Sequence, residues 1–200
     1  MNSNSQASQD VFAAHINQYS TNGYFLDLGC NEPVKYNNTA LLEQMGWSGI
    51  LVDYDPNLVN LCSQKRASPA ICADLTKENI CDILNQNNAP NIIDYISLDL
   101  DHGASLTCLE SFNFKSYKVR CITFEHDAYT GDEHMRTKSR EIFKHNGLKL
   151  ICKDVKVLDN KEFEDWYIDP TMVDESVYSP IICEGKHHQE IQQLIINLKK

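Results

Sequence analysis

The residues best suited to catalysis or ligand binding are acids that directly follow short apolar runs. Asp53, Asp99 and the triplet Glu125, His126 and Asp127 all stand in such positions. Apolar runs of this length are typical of buried parallel strands, whose carboxyl ends meet at one edge of a sheet. Carboxylates and imidazoles at such an edge can hold ribose hydroxyls, take a proton from a substrate or coordinate a hard metal ion. The pattern predicts a ligand-binding cleft along one edge of an α/β sheet.

The stretch 23–56 has the order strand, glycine turn, helix, strand and acid. The first apolar run, from Tyr24 to Leu28, leads directly into Gly29. A tight turn that lets a ligand lie against backbone favours glycine, which has no Cβ. The second strand ends in Asp53, whose carboxylate can accept hydrogen bonds from both hydroxyls of a ribose. This order predicts a nucleoside-binding site.

The turn does not contain the three-glycine fingerprint of dinucleotide-binding folds. Gly29 is its one glycine, and Glu32 would repel a pyrophosphate at the helix N-terminus. A nucleoside without phosphates fits better, and S-adenosylmethionine (SAM) is the common one. We expect the cofactor contacts to come from Asp27, Gly29, Asn31, Asp53, Asp74 and Leu75. An ordinary βαβ unit without a ligand remains an alternative, and Asp74 is equally well explained as a helix-capping acid.

A second group of ionisable residues follows the fourth and fifth predicted strands, in the segments LDLDH and FEHD. Neighbouring strands would bring both segments to one cleft, and burying so many charges without partners is costly. In one mechanism, a histidine takes the proton of a substrate hydroxyl. In the other, carboxylates hold Mg²⁺ or Mn²⁺, which lowers the pKa of the hydroxyl. The candidate catalytic residues are Asp99, His102, His126 and Asp127, and the candidate metal ligands are Asp99, Asp101 and Asp127.

Length and composition restrict the remaining possibilities. The chain has 200 residues, which is typical of one domain, and we expect residues 1–7 to be disordered and 8–200 to form that domain. A formal net charge of −10 argues against a nonspecific nucleic-acid surface. The sequence predicts no membrane segment and no secretion signal. Eight cysteines without a C-x-x-C pair indicate free thiols in a reducing compartment, so we expect a cytoplasmic protein.

Several stretches resemble FkbM-type methyltransferases, a branch of the class I SAM-dependent enzymes. They are FLDLGCNEPVKYNNTALLEQMGWSGILVDYDP, IIDYISLDLD, VRCITFEHDAY, SREIFKHNGLKLICKDV and FEDWYIDP. The resemblance implies a Rossmann-like three-layer α/β sandwich with a seven-stranded, mostly parallel sheet in the order 3-2-1-4-5-7-6. It also implies SAM-dependent transfer of a methyl group to a hydroxyl of a small molecule, with a sugar or glycan as the favoured acceptor.

Two other functions remain open at this stage. An NAD-dependent oxidoreductase is disfavoured, because the three-glycine turn is missing. A noncatalytic protein that binds a nucleoside or a partner is disfavoured by the acids at the ends of the fourth and fifth strands. The C-terminal helix predicted over 187–198 has an apolar face that could pack on the domain or on a second subunit, so a homo-oligomer is a further expectation.

Overall fold

The computed structural model describes residues 3–101, 103–131 and 133–199. Within these ranges, strands and helices alternate along the chain, as expected for an α/β fold. The strands are β1 (Tyr24–Leu28), β2 (Ser48–Asp53), β3 (Ala70–Cys72), β4 (Ile92–Leu98), β5 (Lys118–Glu125), β6 (Lys149–Val157), β7 (Lys161–Ile168) and β8 (Cys183–Glu184). The α-helices are α1 (Gln9–Ile16), α2 (Ala40–Gln44), α3 (Pro56–Lys65), α4 (Ile80–Gln86), α5 (Ala104–Ser111), α6 (His134–His145), α7 (Glu175–Tyr178) and α8 (His188–Leu198).

All eight strands form one sheet, in the order β3-β2-β1-β4-β5-β7-β6-β8. Strands β1 to β5 are parallel, and β7 runs antiparallel to both β5 and β6. The predicted order of seven strands is confirmed, but their number is wrong. The additional strand, β8, pairs with β6 through Cys183 and Glu184. A two-residue strand is too short to produce an apolar run that a sequence pattern could reveal.

Both faces of the sheet are covered, and consecutive residues of β7 show how. Trp166 is fully buried on one face, where its ring stacks on Phe12 of α1 at 4.7 Å. Tyr167 is buried on the other face, where its ring lies 4.2 Å from that of Phe143 in α6. Successive side chains of a strand point to opposite faces, so the two aromatic residues belong to separate cores. The result is the predicted three-layer sandwich.

Two element boundaries depend on contacts that the local sequence does not show. Helix α4 begins at Ile80, and Asn79 caps it by accepting a hydrogen bond from the Cys81 backbone amide. Strand β6 extends from Lys149 to Val157. It forms a long antiparallel pair with β7 whose register shifts at several points. Such irregularities interrupt the apolar alternation from which strands are predicted.

The N-terminal segment makes specific contacts from Ser3 onward. Asp10, which is fully buried, accepts hydrogen bonds from the Ser3 and Ser5 hydroxyls at 2.5 and 2.9 Å and from the Asn4 amide at 2.7 Å. Ser5 also forms an isolated parallel bridge with Tyr36. The expected disorder of residues 1–7 does not anticipate these contacts, because a polar sequence alone does not reveal that a buried carboxylate will organise it.

The C-terminal helix α8 packs on its own chain. Ile191 and Ile195 are buried, and the Ser8 hydroxyl lies 2.9 Å from Nδ1 of His188. Leu194 remains partly exposed on the outer side. None of the helices in the described ranges is long and apolar enough to cross a membrane.

Candidate active site

A cavity of about 470 Å³ lies at the carboxyl ends of the parallel strands. This volume lies within the range typical of small-molecule sites. Most of the predicted site residues line it together, namely Asp27, Gly29, Asn31, Asp53, Asp99 and Asp101. They come from three neighbouring strands, β2, β1 and β4. The structure therefore brings into one cleft residues that lie more than 70 positions apart in the sequence.

The glycine turn closes tightly against the end of β4. Gly29 has a φ of 91°, and its amide donates to the carbonyl of Val52 at 2.9 Å. A Cβ at this position would lie 1.8 Å from the carbonyl oxygen of Asp99. The Asp99 amide in turn donates to Leu28 at 3.0 Å. The absence of a side chain is therefore required both by the backbone conformation and by the approach of the two strand ends.

Asp53 is held in a fixed orientation at the end of β2. One carboxylate oxygen accepts a hydrogen bond from the backbone amide of Asn31 at 2.9 Å, and the other accepts one from the backbone amide of Asp55 at 3.0 Å. Asp53 is 5% exposed. Each carboxylate oxygen can accept a further hydrogen bond, since an ionised carboxylate has about four acceptor sites. The geometry fits a group that presents two hydroxyls to the strand end.

Asp27 supports the turn from behind. It is buried and accepts hydrogen bonds from the Thr39 hydroxyl at 2.7 Å and from the side-chain amide of Asn37 at 3.0 Å. Arg66 reaches the same two side chains, at 2.9 Å from the Asn37 oxygen and 3.0 Å from the Thr39 hydroxyl. Burial raises the pKa of Asp27 to about 6, against the opposing effect of these partners. Asn37 also caps α2, because its side-chain oxygen accepts from the Ala40 amide at 2.8 Å.

Carboxyl groups from β4 and β5 meet at the far end of the cavity. The carboxyl group of Glu125 lies beside those of both Asp99 and Asp127. Burial and the neighbouring carboxylates raise the pKa of Glu125 well above its usual range, and burial raises that of Asp99. Glu125 lines the cavity although it was not among the predicted site residues. Its position as the last residue of a buried strand was the signal that could have identified it.

His126 does not reach the cavity, which corrects its prediction as a catalytic base. It is fully buried, and its Nδ1 accepts a hydrogen bond from the Ala128 amide at 3.2 Å. Its proton therefore resides on Nε2, which lies 3.7 and 3.6 Å from the carboxylates of Asp154 and Asp165. The ring thus faces the β6–β7 side of the sheet, away from the side chain of Glu125. His102, the other predicted base, lies outside the described residues.

Asp154 and Asp165 belong to a buried charge cluster with α6. Arg140 contacts Asp165 at 2.7 Å and Asp154 at 2.6 Å, and Arg136 contacts Asp154 at 2.9 Å. Burial would raise the pKa of Asp165, but His126 and Arg140 hold it well below its usual range. The cluster joins β6 and β7 to α6 and has a structural role.

The predicted metal ligands do not form a compact set of ligand atoms in the described part of the chain. Among the described residues, the set whose ligand atoms all lie within 4.8 Å of one another consists of His126, Asp154 and Asp165. Asp99, Asp101 and Asp127 form no such set within the same part of the chain. A metal on Nε2 of His126 would require the proton to move to Nδ1, which already accepts a hydrogen bond from a backbone amide. The arginines also compensate the two carboxylates, so this cluster does not fit a metal site either.

Two predicted cofactor residues lie off the cavity. Asp74 accepts hydrogen bonds from the amide and hydroxyl of Thr76 and forms a surface ion pair with Lys77 at 2.7 Å. Leu75 is buried in the core on one face of the sheet. Asp74 therefore organises the turn after β3, and it does not cap the following helix α4, whose cap is Asn79. Asp127 lies behind Glu125 and also does not line the cavity, although it contacts that carboxyl group.

Comparison with known proteins identifies the fold. No family model matches the chain, and no curated protein matches it in sequence. A TehB-like SAM-dependent methyltransferase from Corynebacterium glutamicum superimposes with a TM-score of 0.53 at 16% identity, covering 80% of this chain and 87% of that chain. The methyltransferase domain of the bacterial protein CtHen1-C superimposes with a TM-score of 0.53 at 11% sequence identity, and the match covers 82% of this chain and 97% of that chain. A SAM-dependent methyltransferase from Clostridium acetobutylicum superimposes with a TM-score of 0.50 at 12% sequence identity, and the match covers 82% of this chain and 90% of that chain. The chain therefore has the Rossmann-like α/β fold of SAM-dependent methyltransferases.

The close approach at Gly29 predicts the effect of adding one methyl group. In Gly29→Ala, both the positive φ and the clash with the Asp99 carbonyl oppose folding, and we expect a loss of about 3–5 kcal/mol in the free energy of unfolding. Gly147→Ala is the matched control, because its φ is 82° but nothing lies within 4 Å of the added Cβ. We expect it to cost about 1–2 kcal/mol. Urea unfolding measures both values, and equal losses would contradict the close approach.

The buried pair of Asp165 and Arg140 predicts a pH dependence of stability. The pKa of Asp165 is lower in the folded than in the unfolded chain, so its contribution is present above the unfolded value of 3.8 and is lost as the pH falls through the folded value. We expect Asp165→Asn to lose about 3–5 kcal/mol at pH 7. Its stability should also decline less steeply than that of the unmodified protein between pH 5 and pH 2.

The control for this experiment is Glu141→Gln, which breaks an exposed ion pair with Lys138. We expect its free energy of unfolding to be unchanged, because the pair is exposed to solvent. Urea unfolding at several pH values provides the comparison. An Asp165→Asn variant with the same acid slope as the unmodified protein would contradict the assignment.

Proposed function

We propose that this protein is a SAM-dependent O-methyltransferase that acts on a hydroxyl group of a small molecule, with a sugar or glycan as the favoured acceptor. The single observation that carries the proposal is the cavity at the carboxyl edge of the sheet, where a tight glycine turn, an oriented acid at the end of β2 and a half-buried acid at the end of β4 meet. The fold supports SAM as the cofactor. The resemblance to FkbM-type enzymes supports the acceptor class.

In this proposal the cofactor occupies the part of the cavity nearest β2 and β1. Asp53 accepts hydrogen bonds from the ribose hydroxyls, and Gly29 and Asn31 provide backbone against the methionine portion. Asp27 positions the turn through Thr39 and Asn37 and does not itself contact the cofactor. A bound SAM supplies a methyl group that is already strongly electrophilic, so positioning of the acceptor provides much of the rate.

Asp99 is the proposed general base. It lies at the end of β4, where its carboxylate takes the proton from the acceptor hydroxyl as the oxygen bonds to the methyl carbon and the carbon–sulfur bond breaks. Burial raises its pKa, which makes it a better proton acceptor than an exposed aspartate. Glu125, whose pKa is raised by burial and by its neighbours, lies beside it. The proposed step uses the carboxylate of Asp99 alone.

Charge supports a small-molecule acceptor over a nucleic acid. The chain carries a formal net charge of −10, and Lys35 is the one basic residue among the described residues that line the cavity. A phosphate backbone requires clustered lysine and arginine. The alternative function is a methyltransferase-like protein that binds a nucleoside or a partner without catalysis. The half-buried acid Asp99 disfavours it, because a partly desolvated carboxyl group without a cationic partner is costly unless it serves a ligand or a reaction.

The proposed cofactor contacts predict different effects for two acids. We expect Asp53→Ala to weaken SAM binding at least tenfold, because the hydrogen bonds to the ribose are lost; this corresponds to about 1.4 kcal/mol. Asp74→Ala should leave the affinity unchanged, because Asp74 lies off the cavity. Titration calorimetry measures both. A loss of affinity in Asp74→Ala with none in Asp53→Ala would place the nucleoside elsewhere.

The two candidate bases are separated by a second pair of variants. We expect Asp99→Asn to reduce methyl transfer by about 100-fold or more while SAM still binds, because the proton acceptor is lost. His126→Asn keeps an acceptor for the Ala128 amide, and its turnover should remain within about threefold of the unmodified protein. Transfer of tritiated methyl from SAM to a panel of nucleotide sugars measures both. Loss of turnover in His126→Asn at full SAM affinity would restore the histidine as the base.

A further inference from the structure

The cavity has a strongly unbalanced charge. Its described lining residues include the six carboxyl groups of Asp27, Glu32, Asp53, Asp99, Asp101 and Glu125, and one amine, that of Lys35. SAM carries a net charge of +1, from its sulfonium, ammonium and carboxylate groups. Even with Glu125 protonated, the carboxylates outnumber the positive charges that Lys35 and the cofactor provide. Negative charge therefore remains for a further ligand to compensate.

The excess lies at the β4–β5 end of the cavity. Asp99, Asp101 and Glu125 line it there, and Asp127 lies directly behind Glu125. None of these four carboxyl groups has a lysine or arginine nitrogen within 4.0 Å in the described part of the chain. The contrast with Asp165 is direct, because that carboxylate has an arginine partner at 2.7 Å. Other buried acids without a cation, Asp10 and Glu164, instead accept hydrogen bonds from neutral donors: Ser3 and Ser5 for Asp10, and Gln9 and Trp166 for Glu164.

A second observation at the same place also indicates a hydrogen-bond donor. Asn38 lines the cavity and is 5% exposed. Its amide nitrogen donates to the Ser97 hydroxyl at 2.9 Å, but its buried Oδ1 has no hydrogen-bond partner among the described residues. An unsatisfied buried acceptor costs roughly 1–3 kcal/mol unless a ligand supplies the donor. The side chain of Asn38 lies close enough to Asp99 to influence its pKa, so the unsatisfied acceptor belongs to the same end of the cavity.

Strand spacing separates this end from the ribose contact. Strand β5 is the third neighbour of β2 in the sheet, through β1 and β4. Adjacent strands lie about 4.8 Å apart, so Asp53 and Glu125 stand roughly 14 Å from each other along the edge. With the ribose at Asp53, the β4–β5 end lies beyond the methyl group and faces the acceptor.

We infer that the acceptor carries a protonated amine next to the hydroxyl that is methylated, and is therefore an amino sugar or a related polyhydroxylated amine. This inference rests on the proposed function, since it names the substrate class of the same cavity. Its ammonium group binds the carboxyl groups of Asp101 and Glu125, which line the cavity, and its hydroxyl or ammonium hydrogens satisfy the oxygen of Asn38. Asp99 remains directed at the hydroxyl. A neutral sugar of the same shape leaves these carboxylates uncompensated and binds more weakly.

Titration calorimetry on the complex with S-adenosylhomocysteine tests the inference with three matched probes. Glucosamine carries the amine, N-acetylglucosamine has the same skeleton with a neutral amide, and glucose has a hydroxyl in its place. We expect glucosamine to bind at least tenfold more tightly than either neutral sugar. Equal affinities for the three probes, or no measurable glucosamine binding to a complex that has formed, would overturn the inference.

Two variants identify the charges responsible. Asp101→Asn removes one carboxylate at the β4–β5 end, and Glu32→Gln removes one elsewhere in the cavity, so both change the net charge equally. We expect the affinity for glucosamine to fall at least tenfold in Asp101→Asn and to change by less than twofold in Glu32→Gln. Equal effects in the two variants would overturn the inference, as would a parallel loss of S-adenosylhomocysteine affinity in Asp101→Asn. Failure of S-adenosylhomocysteine to bind the unmodified protein would instead contradict the proposed function, on which the inference depends.

Discussion

The close contact between the turn after β1 and the end of β4 is the constraint on which the site depends. There is no room for a side chain at Gly29, since a Cβ would lie 1.8 Å from the carbonyl oxygen of Asp99. The Asp99 amide bonds to Leu28, and the Gly29 amide bonds to Val52. Three strand ends are thereby fixed relative to one another by backbone alone. This backbone arrangement positions the acids at those strand ends, and it thereby forms the cavity between them.

The protein treats its buried acids in two different ways. Asp154 and Asp165 receive arginines from α6, which hold the β6–β7 pair against that helix. Asp99 and Glu125 receive no comparable partner, and burial together with the neighbouring carboxyl groups raises their pKa values. Such carboxyl groups retain the capacity to take a proton or bind a cation.

Much of the architecture could be predicted because its signals are local. The runs that form β1, β2 and β4 are mostly apolar, and the acids at or directly after their ends mark the edge of a parallel sheet. Asp53 and Asp99 were therefore placed in one cleft from the sequence alone, and the cavity contains both. The strand order came from the family resemblance, since periodicity carries no information about which strands are neighbours.

What could not be predicted depends on side-chain direction and on distant partners. His126 follows Glu125 by one residue, and alternation along the strand sends the two side chains to different sides, so their shared motif did not mean a shared site. Asp74 precedes a turn and accepts hydrogen bonds from the amide and hydroxyl of Thr76 within it. Only the folded structure distinguishes that role from adenine binding. The two-residue strand β8 and the arginine partners of Asp165 depend on long-range contacts that no local pattern records.

The central claim is that the cavity at the carboxyl edge binds a nucleoside without a pyrophosphate. Titration calorimetry of the unmodified protein with SAM and, separately, with NAD tests this most directly. Micromolar binding of SAM with no measurable binding of NAD is the result that the account predicts. Binding of NAD in place of SAM would show that Gly29 and Glu32 accommodate a pyrophosphate, and binding of neither would leave a methyltransferase fold whose site serves another ligand.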